Sequence, residues 1–280
     1  MKILLIGANG QIGKHLVQLL QESDEHSLKA MVRREEQAEA LKESGVEAVV
    51  ANLEGSVEEL AGAIEGSDAI IFSAGSGGNT GADKTLLVDL DGAVKSIEAA
   101  EQIGAKRFVM VSAINANNRD AWADSPIKPY MAAKHYADKA LIASDLNYTI
   151  VRPGGLLNEP GTGKVTVAEN LTRGSVPRED VARTIIASLN EEKTYRQSFD
   201  LISGDILIAD ALKIYKTMLE SRVFKVENLL WMPVFLLKLG TFHLLLLYKL
   251  ELVVICIECL LSSTPNSYVR KMMSNFIRRL

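Results

Sequence analysis

The chain has 280 residues, 48% hydrophobic and 24% charged, enough for one large packed domain or a domain with an appendage. Its first 215 residues hold 22 Lys and Arg against 31 Asp and Glu, a net charge of −9, which argues against general nucleic-acid binding. Both of its 2 cysteines, Cys256 and Cys259, lie in the last 65 residues, so the first 215 contain no disulfide framework and no thiol nucleophile.

The first thirteen residues carry the strongest functional signal. Lys2–Ile6 is a short apolar run, typical of a strand buried in a parallel sheet, and it leads directly into Gly7, Gly10 and Gly13. The amphipathic segment 12–21 then predicts a helix. In a dinucleotide site the first glycine permits a tight turn, the second lets the backbone approach a pyrophosphate, and the third lets helix and strand pack closely. This stretch therefore predicts a dinucleotide site, and its five-residue apolar run indicates a strand of a cytoplasmic protein rather than a secretory signal.

Apolar runs alternate with helical patterns along the next two hundred residues. This alternation predicts an α/β fold, a doubly wound parallel sheet (Rossmann-like) of six to seven strands with helices on both faces, over residues 1–215. The later strands are expected at 28–32, 46–50, 68–72, 107–111, 148–151 and 198–202. The later helices are expected at 35–43, 56–64, 83–103, 181–189 and 210–219, with one more beginning near Pro129. Ser56 and Glu59 form a capping box for the helix that ends at residue 64.

The residues that follow the second strand favour NADP over NAD. An acidic residue at this position binds the two hydroxyls of an NAD ribose, whereas an arginine accommodates a 2′-phosphate. Here the strand ends at Val32 and is followed by Arg33 and Arg34, although Glu35 and Glu36 act against the preference. We expect NADP as the cofactor, with NAD as the alternative.

Three residue types suited to proton transfer lie further along the chain. Ser112 follows the fifth strand directly, at the sheet edge where ligands bind. Tyr130 and Lys134 are four residues apart on a predicted helix, so they share one face of it. A neighbouring ammonium favours the phenolate and brings a phenol closer to neutral-pH acid–base chemistry. Tyr136 and Lys139 are only three apart and do not form the same pair.

Taken together, these motifs resemble the short-chain dehydrogenase/reductase superfamily. The glycine turn, Ser112, the Tyr130–Lys134 pair, Arg152-Pro153-Gly154-Gly155 and Arg178-Glu179-Asp180-Val181-Ala182 carry the resemblance. It is nearest to the extended and atypical branches, whose members are NAD(P)-binding and NAD-dependent epimerase/dehydratase-like. The resemblance covers roughly residues 1–215 and identifies no single reaction.

The resemblance also implies roles for individual residues. Tyr130 would be the acid/base, Lys134 would bind the nicotinamide ribose and lower the pKa of the tyrosine, and Ser112 would polarise the substrate. Arg33 would contact the 2′-phosphate. The remaining cofactor contacts would come from Gly7, Asn9, Gly10, Gln11, Ile12, Gly13, Arg34, Asn52, Leu53, Ser73, Ala74, Gly75, Pro153, Gly154 and Gly155.

One position departs from the family pattern. Extended members carry an asparagine three residues before a helix glycine, where this chain has Asp89 before Gly92. A carboxylate at this position accepts the same hydrogen bond as the asparagine but cannot donate one. Asp89 is therefore expected to replace the amide that supports the proton relay of the lysine, with a consequence for the catalytic rate.

Only residues 156–177 separate the sixth strand from the next helix, which favours a small substrate over a large sugar nucleotide. We expect an oxidoreductase that transfers hydride to or from a small carbonyl, flavin or quinone. One alternative is a catalytically weak NAD(P)H-binding redox sensor that reports to a protein partner. A second is an epimerase or dehydratase that keeps its NAD tightly bound.

Residues 216–280 differ in character and carry a net charge of +5, with long apolar runs interrupted by Lys238, Lys249, Glu251 and Glu258. An apolar, helical extension is expected. Three interpretations of this extension remain open. It could associate with a membrane surface, it could bind a partner or a second copy of the chain, or it could have no selected function. Cys256 and Cys259 have the spacing of half a zinc site but lack a second Cys/His pair, so no metal is expected.

Overall fold

The computed structural model describes residues 1–215, which adopt a Rossmann-like α/β fold around a largely parallel sheet. This confirms the Rossmann-like α/β class, although within these residues the main sheet has nine strands rather than the predicted six to seven. The strands in chain order are β1 (Lys2–Ile6), β2 (Ser27–Val32), β3 (Glu47–Val50), β4 (Ala69–Phe72), β5 (Arg107–Val111), β6 (Asn147–Pro153), β7 (Gly155–Leu157), β8 (Lys164–Ala168), β9 (Ser175–Pro177), β10 (Gln197–Ser203) and β11 (Ile206–Leu207).

Helices connect most of the parallel strands of the main sheet. They are α1 (Gln11–Gln21), α2 (Glu35–Glu43), α3 (Val57–Ile64), α4 (Ala82–Lys84), α5 (Gly92–Gln102), α6 (Arg119–Trp122), α7 (Lys128–Ala143) and α8 (Arg178–Leu189). Residues 208–215 are also helical. The remainder of the helix expected at 210–219, and the whole extension 216–280 with its membrane, partner and zinc interpretations, lie outside the described residues.

The main sheet has the order β3-β2-β1-β4-β5-β6-β10 for its seven parallel strands, followed by β8 and β11. Both of these last strands pair antiparallel, β8 with β10 and β11 with β8. The first six strands follow the order that places a nucleotide at the carboxyl edge, where the strand order reverses between β1 and β4. The expectation of a purely parallel sheet is therefore corrected at one edge.

The segment 156–177, in which the sequence predicts no strand, contains regular structure. It contains β7, β8 and β9, and β7 pairs with β9 in a small separate sheet. On β8, Val165 is fully buried and has a polar residue on each side. This alternation indicates a strand, but the nearby glycines make the strand hard to recognise in the sequence.

Helices cover both faces of the sheet. β4 and β5 are buried at every position, which requires a cover on each side. On one side α1 packs against α8, and on the other α3, α5 and α7 pack in succession. On this second side the core is built from alternate strand residues such as Leu4, Ile70 and Phe108.

The long helix expected at 83–103 is interrupted. α4 ends after three residues, Thr85–Asp91 winds as a π-helix, and α5 begins at Gly92. Each π turn takes up one more residue than an α turn, which shifts the faces that side chains occupy. The π segment thereby places Asp89 in the interior, where it is 1% exposed. A continuous α-helix over 83–103 would place its side chain on a different face.

A buried arginine joins β5 to the carboxyl end of α8. The Arg107 guanidinium donates to the Asn147 and Ser188 carbonyls and to the Thr149 and Thr194 hydroxyls. Burial lowers the pKa of Arg107 to about 10. Its charge is balanced by carbonyl oxygens at a helix carboxyl end, where a cation is favoured.

Replacing this arginine tests how much the fold depends on it. Arg107→Ala leaves several buried acceptors without a donor, each worth roughly 1–3 kcal/mol. We expect the free energy of unfolding to fall by about 3–5 kcal/mol in urea titrations followed by circular dichroism. The neighbouring, exposed Lys106→Ala is the control, and its free energy of unfolding should stay within about 0.5 kcal/mol of the wild type. Equal effects of the two variants would contradict this role for Arg107.

Candidate functional site

The glycine turn after β1 is built so that the backbone leaves a groove in front of α1. Gly7 has a φ of +92°, and a Cβ there would lie 2.7 Å from the Ala74 nitrogen. A Cβ at Gly13 would overlap the Gly7 carbonyl, whereas one at Gly10 would meet that oxygen at 3.1 Å. Gly7 and Gly13 are therefore fixed by internal packing, and the missing side chain at Gly10 mainly keeps the groove open.

The amino end of α1 opens into this groove. Gly10 is the N-cap, and within residues 1–215 no side chain caps the helix and no acidic residue lies in its first turn. The first N–H groups of α1 are thus available to an anion, and the helix dipole favours one. This cradle fits the pyrophosphate of a dinucleotide.

A cavity of about 330 Å³ extends from the glycine turn across the ends of β1 to β4. It contains most of the predicted cofactor residues, namely Gly7, Asn9, Gly10, Arg33, Asn52, Leu53, Ser73, Ala74 and Gly75. Met31 and Val88 add apolar surface. Lys84 and Glu54 form an ion pair of 2.8 Å, and both also line this cavity. Its size and mixed lining suit the adenosine half of a dinucleotide.

The two arginines after β2 occupy different places. Arg33 lines the cavity just described, together with Gln37. Arg34 is the N-cap residue of α2 and lines a second depression with Lys14, on the other side of Asn9. Arg33 is therefore better placed than Arg34 for a group on the adenosine ribose.

Tyr130 and Lys134 share one face of α7, as their spacing predicts. The Lys134 ammonium lies 5.7 Å from the centre of the Tyr130 ring and 5.9 Å from that of Phe72. Tyr130 is half-buried, whereas Lys134 is only 3% exposed. The structure brings the predicted pair together, with the lysine beneath the tyrosine.

The Lys134 ammonium is held from below by two oxygens. It donates to the Val111 carbonyl at 3.1 Å, and it lies 3.7 Å from Oδ1 of Asp89. The other carboxylate oxygen of Asp89 accepts from the Ser76 N–H at 3.0 Å. Asp89 thus joins the loop after β4 to α7, and it gives Lys134 an acidic partner where an asparagine would give a neutral one.

The Ser112 hydroxyl faces a buried charge pair. Asp138 and Arg152 form an ion pair of 2.8 Å, and both residues are at most 3% exposed. Burial raises the pKa of Asp138, and Arg152 and then the nearby Ser112 hydroxyl oppose that rise. This hydroxyl is buried, and among the described residues it has no hydrogen bond of good geometry. Ser112 also borders the neighbouring cavity, so its predicted role towards substrate stays a prediction.

A larger cavity of about 770 Å³ lies beyond the ends of β5 and β6. Tyr130 lines it, as do Ser112, Pro153, Gly154 and Gly155 of the predicted set. Apolar residues form most of the remaining wall, namely Ile114, Trp122, Pro126, Ile127, Met131 and Leu156. The two cavities follow one another along the carboxyl edge of the sheet, so a molecule that spans both would pass Tyr130.

Several site residues escaped the sequence prediction. Trp122 lies on the short helix α6, and its indole N–H donates to the Ala116 carbonyl at 3.3 Å. Arg173, from the segment 156–177, and Arg178, the first residue of α8, line the larger cavity, and neither is among the predicted site residues. Four predicted site residues line neither of the two cavities along the carboxyl edge, namely Gln11, Ile12, Gly13 and Lys134.

Within residues 1–215, no group of three or more His, Cys, Asp or Glu side chains could hold a metal ion. No helix in the same residues is long and apolar enough to cross a membrane.

A family model described as NAD(P)H-binding matches residues 7–192. A Bacillus subtilis protein described as an uncharacterized sugar epimerase, YhfK, is 63% identical over 213 residues, which is 76% of this chain and 99% of that protein.

Two solved structures resemble the described fold. A putative NAD-dependent epimerase/dehydratase from Bacillus halodurans superposes with a TM-score of 0.71 at 42% identity, covering 76% of this chain and 99% of that one. The oxidoreductase ylbE from Lactococcus lactis superposes with a TM-score of 0.69 at 32% identity, covering 76% and 95% respectively. These proteins share the fold and carry names from different reaction classes.

The contact between Asp89 and Lys134 can be tested by stability. Asp89→Asn keeps an oxygen for the Ser76 N–H but leaves a buried ammonium without its carboxylate. We expect the free energy of unfolding to fall by about 2–3 kcal/mol in urea titrations. Asp91→Asn, on the same segment, removes a partly exposed ion pair with Lys95 and should cost under about 0.5 kcal/mol. An Asp89→Asn protein as stable as the wild type would show that this ion pair does not hold the site together.

Proposed function

Because this chain belongs to the NAD(P)H-binding family, we propose that it is an oxidoreductase that prefers NADPH and reduces a small carbonyl, flavin or quinone. The observation that carries this proposal is the position of Tyr130. It lines the larger cavity and stands above a buried lysine, beside a groove whose glycine turn suits a pyrophosphate. A proton donor beside a cofactor groove is the arrangement that a carbonyl reductase needs.

The cofactor would be held by the residues of the smaller cavity. The amino end of α1 and the backbone around Gly10 would bind the pyrophosphate, and Arg33 would bind a 2′-phosphate. A bound nicotinamide supplies the hydride in this chemistry.

Residues of the chain would then supply the proton and stabilise the group that loses it. Tyr130 would give its hydroxyl proton to the substrate oxygen as negative charge develops there. The Lys134 ammonium, fixed by Val111 and Asp89, would stabilise the phenolate that remains. The apolar wall around Trp122 and Met131 would exclude water from the reacting atoms.

A second candidate follows from the name of the Bacillus subtilis relative, which is 63% identical. In this alternative the chain is an epimerase that retains its dinucleotide through each cycle. The two functions separate on purification, because an epimerase would release a stoichiometric amount of NAD when the purified protein is denatured, whereas a reductase that exchanges its cofactor would not.

The acid–base role of Tyr130 makes a direct prediction. Tyr130→Phe removes the proton donor and keeps the ring, so we expect kcat for reduction of a quinone and aldehyde panel to fall by about 10²–10⁴-fold. NADPH affinity, measured by fluorescence titration, should change less than about twofold. Tyr136→Phe is the control, since Tyr136 lies on the exposed side of α7, and its hydroxyl binds only Arg119 among the described residues. A Tyr130→Phe protein with full turnover would reject this role.

The preference for NADPH depends on Arg33. Arg33→Gln should weaken NADPH binding by about tenfold or more and leave NADH binding nearly unchanged, because only NADPH carries the phosphate. Lys42→Gln removes the same charge at the far end of α2 and should change neither affinity. If wild-type protein binds both nucleotides equally, the NADP preference is wrong. If it binds neither, the proposed function as a whole is wrong.

A further inference from the structure

The larger cavity is cationic although the domain around it is acidic. Of the described residues that line it, two are charged, Arg173 and Arg178, and none is Asp or Glu. The first 215 residues together carry a net charge of −9. Two positive side chains beside an apolar wall are unusual in a domain with this net charge, and they suggest that the cavity binds a negatively charged group.

Arg178 is held in place by uncharged groups, which leave its positive charge without an acidic partner among residues 1–215. One of its guanidinium nitrogens, Nη1, donates to the Leu156 carbonyl at 3.1 Å and to the Asn158 side-chain oxygen at 2.7 Å. Both acceptors are uncharged. Within residues 1–215 the next two acidic residues are engaged elsewhere, since Glu179 pairs with Arg183 and Asp180 accepts the N–H groups of Thr162 and Gly163. The remaining guanidinium donors of Arg178 thus keep their capacity for an anion.

The loop that carries Arg173 is also anchored on both sides. Gly155 N–H donates to the Gly174 carbonyl at 2.8 Å, and a Cβ at Gly154 would collide with that carbonyl. On the other side the Leu171 N–H donates to the buried Asp200 carboxylate at 3.0 Å. Arg173 itself is exposed and has no ion pair among the described residues. Two well-anchored segments therefore bring to one cavity two guanidinium groups that form no ion pair with any residue of 1–215.

From this we propose that the substrate is an anion: a carbonyl or quinone compound with a flat, apolar body and a carboxylate or phosphate group. Arg178 binds this charged group, and Arg173 contributes a second positive charge. The inference rests on the proposed function, because it assigns the substrate class of that same cavity. A guanidinium binds either group with two parallel hydrogen bonds. Ile114, Trp122, Met131 and Leu156 would contact the apolar body, and Tyr130 would meet the oxygen to be reduced.

Binding of matched aromatic probes tests this without requiring turnover. Calorimetric titration of the full chain compares 2-naphthoate with the neutral 2-naphthamide, and 2-naphthyl phosphate in parallel distinguishes carboxylate from phosphate. We expect at least one anion to bind at least about tenfold more tightly than the amide. Equal binding of acid, phosphate and amide, or no binding of the anions at millimolar concentration, would overturn the inference.

Variants locate the anion site. Arg178→Gln should reduce the preference for the anion over the amide to within about twofold, and Arg173→Gln should reduce it less. Arg178→Lys keeps a point charge without the planar fork and should retain part of the preference. Lys164→Gln, an exposed residue outside the cavity, should retain all of it. A preference that survives Arg178→Gln and Arg173→Gln in correctly folded protein, checked by circular dichroism, would also overturn the inference.

These outcomes are separate from those that decide the proposed function. NADPH titration and the turnover of Tyr130→Phe report on the reductase, whichever ligand the arginines prefer. A protein that binds NADPH and reduces neutral and anionic compounds equally, with no anion preference in the titrations, would keep its proposed function and lose this inference.

Discussion

The burial of the Lys134 ammonium is the constraint on which the site depends. An unpaired ammonium in the interior costs several kcal/mol, so α7 must lie where protein oxygens can meet it. Val111 at the end of β5 and Asp89 of the π segment supply those oxygens, at 3.1 and 3.7 Å. Because Tyr130 lies one turn earlier on α7, fixing the lysine also fixes the phenol beside the larger cavity.

Buried carboxylates on the substrate side act as anchors for loops. Asp200 holds the N–H of Leu171, and Asp180 holds those of Thr162 and Gly163. Burial raises the pKa of Asp200, and Arg152 and then the Leu171 N–H oppose that rise. The segment 156–177 is rich in glycine, and its buried residues are Val165, Val176 and Pro177. Hydrogen bonds to buried acids give it a defined shape, and this shape positions the cavity wall.

The two cavities have different linings. The smaller one offers backbone N–H groups and one arginine, which suit a ligand shared by many related proteins. The larger one combines an apolar wall, a phenol and two arginines, drawn mostly from short loops and from β7 and β9. Since the first 215 residues carry a net charge of −9, long-range attraction would not favour the anionic substrate proposed above, and the two arginines would have to select it at short range. Relatives with names from different reaction classes are consistent with a constant cofactor side and a variable substrate side.

The sequence by itself determined the first six strands, the glycine turn and the Tyr130–Lys134 spacing, because each depends on residues close together in the chain. Strand periodicity, a helix N-cap such as Ser56 and a four-residue separation are local properties. Only the tertiary structure decided the π winding that turns Asp89 inward, the strands within 156–177, and the meeting of Arg173 and Arg178 at one cavity. These features depend on contacts between residues far apart in sequence, such as Asp89 with Lys134 and Leu171 with Asp200, which no local pattern encodes.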